Sequence, residues 1–173
     1  MPNYSSIYDL CLNAENLPLH IEDLSDLKGH YVKDAPIVFT YSRRVAVSLQ
    51  VANLVEEYEA SGLQYLCDVA VILNRPKIDE AIKHLEYLFS QIRIQPERAA
   101  SCSLYECSVQ DVSKVLEMPD EAPIPEDLRD DEGEGLTYAI AYLKAHLVLL
   151  QHAQKEGFFV AHRQSHHLDG SDA

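Results

Sequence analysis

Tryptophan is absent from this chain of 173 residues, glycine occurs six times, and Lys and Arg together number 14 against 28 Asp and Glu. So little glycine excludes a collagen-like chain, and a formal charge of -14 excludes a nucleic-acid binder that works through a basic surface. Long hydrophobic runs are missing as well. No stretch approaches the roughly 18 apolar residues of a membrane helix, and the opening MPNYSSIYDLCLNAENLP has neither a basic n-region nor a long apolar h-region. These features predict a cytoplasmic protein. Also lacking are the phosphate-binding patterns G-x-x-x-x-G-K-[ST] and G-x-G-x-x-G, the nucleophile elbow G-x-S-x-G, the zinc motif H-E-x-x-H and a paired C-x-x-C. The expectation is a protein without cofactor or metal.

What is present is enough apolar material, 47%, for one real core, which separates the chain from disordered acidic tails. Cys11, Cys67, Cys102 and Cys107 are expected to be reduced, because a domain of this size without an export signal needs no disulfide staples. Cys102 and Cys107, spaced C-x4-C, have no second pair with which to build a zinc site.

Hydrophobic spacing predicts the elements. Ile7, Leu10, Cys11 and Ala14 fall on one helical face behind Ser5 and Ser6, and Ile21, Leu24 and Leu27 suggest a second short helix ending at Gly29. The β-branched and aromatic run at 36–41 reads as a strand. From Ser42 a helix is expected, with stripes Val45, Leu49, Ala52, Val55 and Val47, Val51, Leu54, Tyr58, stopping at Gly62. Residues 63–73 fit both a helix and an alternating strand, and helix is the preferred reading. A strict helical period covers 78–92, a short strand is expected at 103–107, and Ser108 with Asp111 forms a capping box before another helix. Leu136, Ile140, Leu143, Leu147, Leu150 and Ala153 give the longest amphipathic run, closed by Gly157 and followed by a strand at 158–161. The sum is a helix-rich α+β fold: one compact domain over 1–163 with several amphipathic helices and a few short strands, then a polar tail at 164–173.

Within that domain the loop at 119–135 stands out. Pro119, Pro123 and Pro125 forbid a helix through its first half, and Asp120, Glu121, Glu126, Asp127, Asp130, Asp131, Glu132 and Glu134 face a lone Arg129. Such a field raises the encounter rate with a basic partner, so these eight carboxylates are the candidate partner-binding residues. Ten tyrosines offer contact area of the kind that anchors interfaces. Other polar features have plainer readings. His162, His166 and His167 read as solvated tail, His146 as a hydrogen-bonded structural histidine rather than a buried general base, and Ser42-Arg43-Arg44 as a helix cap rather than an anion site.

The helix Ile78-Asp79-Glu80-Ala81-Ile82-Lys83-His84-Leu85-Glu86-Tyr87-Leu88-Phe89, the stretch from Leu104 to Val112, and Gly157-Phe158-Phe159-Val160 after the last helix resemble the YfbM-like family of uncharacterised bacterial proteins over 75–163. That resemblance implies a small bacterial α+β protein and brings no catalytic residues with it. In size, acidity and lack of a catalytic signature the chain is also similar to toxin-immunity proteins. The resulting expectation is a non-enzymatic binding protein that neutralises a basic toxin or effector domain, with no nucleic acid and no membrane as partner. A secretion chaperone for an effector is the alternative, and a small enzyme built on Arg43, Arg44, His84 or His146 a third.

Overall fold

A computed structural model describes residues 3–15, 17, 27, 29–42, 46–104, 106–118 and 135–168, with the backbone alone described at 3–6, 39–42, 46–48, 67 and 165–168. Four strands, β1 (Asn3–Leu12), β2 (Ile37–Ser42), β3 (Ala70–Leu73) and β4 (Phe159–Leu168), form one antiparallel sheet in the order β2-β1-β4-β3. The first and last strands therefore lie side by side at the centre of the sheet. β1 and β4 pair over their full length, from Asn3 opposite Leu168 to Leu12 opposite Phe159.

Helices cover one face of this sheet: α1 (Ala46–Glu57), a 3-10 helix (Ser61–Cys67), α2 (Arg75–Ile94), α3 (Pro96–Ser101), α4 (Val109–Glu117) and α5 (Leu136–Glu156). The central helix is α5, which touches α1, α2, α4 and the sheet. It buries Leu136, Ile140, Leu143, Leu149 and Leu150 against the Ile78, Ala81, Leu85, Leu88 and Ile92 stripe of α2 and its neighbours. Leu147, expected in the core stripe, is only half-buried. The observed fold class is the expected α+β one.

Local chemistry explains the helix boundaries. Asn74 caps α2 by accepting from the Lys77 N–H at 3.2 Å, with Pro76 in the first turn. Ser108 and Asp111 make the expected reciprocal capping box on α4. Gly157 (φ +79°) ends α5 in the left-handed conformation that glycine adopts without penalty. Lys144, almost fully buried in α5, donates to the carbonyls of Val115, Leu116 and Met118, so a cation caps the negative end of α4.

Several expectations are corrected. The stretch expected as the first helix is strand as far as Leu12, because Ile7, Asp9 and Cys11 alternate onto the helix-covered face while Leu12 packs on the opposite face with Leu27 and Ala161. The polar Asp9 at an inward position hides that alternation. Residues 63–73 split: the first part is 3-10 helix and the last four residues are β3. No strand forms at the described residues of 103–107. There Leu104 N–H donates to Gln50 Oε1 and the Cys102 carbonyl accepts from Asn53, so side chains of α1 hold this backbone in place of a strand partner. The expected tail is strand as far as Leu168, since it completes the pairing with β1. The helix expected around 21–27, apart from a buried Leu27, lies outside the described residues, as does the acidic loop between Met118 and Gly135.

Candidate functional site

At the middle of the helix-covered face one row of residues crosses the sheet, Val38, Asp9, His162 and Val71, set by direct cross-strand pairing. Asp9 and His162 are thus neighbours by register. Above them Tyr142 and His146, one turn apart on α5, and Tyr65 of the 3-10 helix complete a cluster in which Asp9, His146 and His162 have no accessible surface. The Asp9 carboxylate accepts from Tyr142 Oη (2.9 Å, Oδ2), pairs with His162 Nδ1 (2.8 Å, Oδ1) and lies 3.3 Å from His146 Nδ1 without the alignment of a full hydrogen bond. Tyr65 Oη lies 2.6 Å from His146 Nε2. Tyr142 stacks on His146, and Tyr65 meets His162 edge to face.

Burial by itself would raise the Asp9 pKa. Attraction to the two imidazoles and the hydrogen bond with His162 outweigh it and hold the carboxyl well below the usual range. Burial first, and then the Asp9 charge, push the Tyr65 and Tyr142 hydroxyls well above theirs, so both remain donors. The arrangement is self-consistent when Tyr65 donates to His146 Nε2 and each ring turns an Nδ1–H toward the carboxylate. Such an Asp–His pairing orients imidazoles in many hydrolases; among the described residues the hydrogen-bond partners of these two rings come from within the cluster. What it does in this fold is tie α5, β1, β4 and the 3-10 helix together at one point. Among the described residues no group of three or more His, Cys, Asp or Glu is arranged to hold a metal ion.

The 3-10 helix turns its other side to a groove. The nearly inaccessible Val51, Leu63 and Leu66 and the half-buried Ala52 and Val55 line a cavity of about 610 Å³, with the exposed carboxylates Glu56 and Glu59 at its mouth and no cation among its described lining residues. Two interactions fix the wall formed by the 3-10 helix: Tyr65 reaches His146, and Gln164 of β4 donates to the Leu66 carbonyl. The α1 wall ends in a Schellman motif. Ala60 N–H bonds the Val55 carbonyl at 2.9 Å, Glu59 N–H bonds the Glu56 carbonyl at 3.2 Å, and Glu59 itself sits at φ +58°. Gly62 is therefore not the helix stop. Its place is instead against His84, whose ring lies where a Cβ at position 62 would stand, 2.0 Å from Cδ2.

Of the residues singled out by sequence, His146 enters the buried cluster and His84 packs on Gly62 within 3.6 Å of Glu80. His162, expected in a solvated tail, is fully buried, a correction that follows from its inward position on β4. Arg43, Arg44 and the eight acidic residues Asp120, Glu121, Glu126, Asp127, Asp130, Asp131, Glu132 and Glu134 lie outside the described residues. Sequence reasoning missed Asp9, Tyr65, Tyr142 and the groove. The available signal was the alternation Ile7, Asp9, Cys11, which puts a carboxylate where a strand faces the core.

No protein-family model, curated protein or solved structure matches this chain.

Proposed function

We propose that the protein is a non-enzymatic acidic binding protein that neutralises a cognate antibacterial toxin by direct binding. The observation that carries this reading is the groove beside α1, an apolar recess with carboxylates at its mouth on a chain of net charge -14. A toxin domain that handles nucleic acid or nucleotides is basic, so the field of the whole chain favours the encounter. In this reading the loop carboxylates Asp120 to Glu134 contribute chiefly to association rate, and anchoring falls to apolar contacts in the groove. The groove also admits an effector segment, the secretion-chaperone alternative.

Co-expression with the product of the neighbouring reading frame separates the two. A growth arrest relieved by this protein, together with a tight complex with a folded domain of that product, supports neutralisation. Binding restricted to an unfolded segment favours the chaperone. A toxic neighbour that is neither bound nor neutralised contradicts both.

A further inference from the structure

Glu59 occupies the position after α1 at which a Schellman motif calls for glycine, because only glycine adopts positive φ without steric cost. The chain carries a carboxylate there instead, beside Glu56 and above the groove. Arg98 engages Glu57 at 2.7 Å, whereas Glu56 and Glu59 have no ion pair among the described residues. The negative end of the α1 dipole lies at this same mouth.

We infer that the groove between α1 and the 3-10 helix is the docking site for a basic amphipathic helix of the partner protein, with Glu56 and Glu59 as its charge-reading residues. The inference rests on the binding reading above and names its site. Two helical walls present no free ladder of N–H and C=O groups, so an added strand has nothing to pair with there. An amphipathic helix needs only apolar anchors at helical spacing. Its leading side chains would enter beside Ala52 and Val55, over a floor of Val51, Leu63 and Leu66, and Lys or Arg flanking them would lie over the two carboxylates. The cavity, about 610 Å³, falls within the range of sites that take a few large side chains.

The test uses the full chain and two synthetic helical peptides of about 18 residues, each with Leu at i, i+4 and i+7, one flanked by Lys and the other by Glu. Titration calorimetry gives affinity and amide chemical shifts give location. The expected result is binding of the Lys peptide at least tenfold tighter than the Glu peptide, with shifts centred on residues 51–66. Ala52→Phe, which fills the groove, should abolish binding, and the double change Glu56→Gln with Glu59→Gln, which leaves the walls intact, should lower the preference for Lys several-fold, leaving only the part that net charge sets. Equal affinity for both peptides, shifts elsewhere on the molecule, or uptake of an apolar dye without either peptide would overturn the inference. Toxin neutralisation that survives Ala52→Phe would overturn this site while leaving the binding function standing.

Discussion

Replacing Asp9 with Ala removes the carboxylate on which the interior converges. It strips a hydrogen-bond partner from Tyr142 Oη and from His162 Nδ1, and a neighbour at 3.3 Å from His146 Nδ1, all buried away from water that could compensate. Removing one member of a buried charged network costs about 3–5 kcal/mol, more than an ordinary surface contact by several fold. For a domain of this size that lowers Tm by roughly 6–20 °C, at about 2–4 °C per kcal/mol. Urea unfolding followed by circular dichroism gives the free energy directly. Asp9→Asn keeps the shape and one acceptor, so its loss should be smaller. The pH dependence has a definite sign. The folded-state pKa lies below the ordinary 3.8, so this stabilisation is complete above about pH 4 and is lost as the pH falls toward the folded value. The acid limb of wild type should therefore be steeper than that of Asp9→Asn. A loss below 1 kcal/mol for Asp9→Ala, with identical acid limbs, would refute the idea that the carboxylate holds this interior together.

Leu143→Ala should cost about 2–5 kcal/mol in the same assay, because Leu143 is fully enclosed under α5 and the cavity cannot collapse completely. Lys144→Met should cost about 1–3 kcal/mol by leaving the carbonyls at the end of α4 unpaired, readable as faster hydrogen exchange across α4. Burial raises the Cys11 thiol to about 11, and burial with Asp111 nearby raises Cys107 to about 11, so at neutral pH both should react with a disulfide reagent slowly until denaturant is added, and reductant should leave Tm unchanged. Neutralising Asp130, Asp131, Glu132 and Glu134 to Asn or Gln should slow association with a basic partner and flatten its salt dependence, with dissociation and Tm nearly constant in stopped-flow and thermal scans.

The helices were legible where one face alone is buried: the Ile78 to Ile92 stripe and the Ser108–Asp111 box emerge as written in the sequence. Strands were harder, for particular reasons. Residues 3–12 place Asp9 and Tyr8 among apolar neighbours, and Ile7, Leu10 and Cys11 fit a helix as well as they fit a strand; ten cross-strand pairs with β4 decide the matter, and those partners lie at the other end of the chain. His162 read as polar because its environment depends on that same pairing. The groove was hidden because its walls come from two segments separated by a left-handed Glu59, a conformation that no sequence pattern advertises.

Glu59→Gly offers the most direct measurement, with stability and affinity for the Lys peptide determined on the same preparation. Relief of the left-handed strain should raise stability by ~1 kcal/mol, since glycine escapes the steric clash that a Cβ makes there. Loss of the carboxylate should at the same time weaken binding several-fold. Higher stability with weaker binding is the result expected of a residue placed to read a basic partner; unchanged or tighter binding in the stabilised variant would contradict that role for the groove.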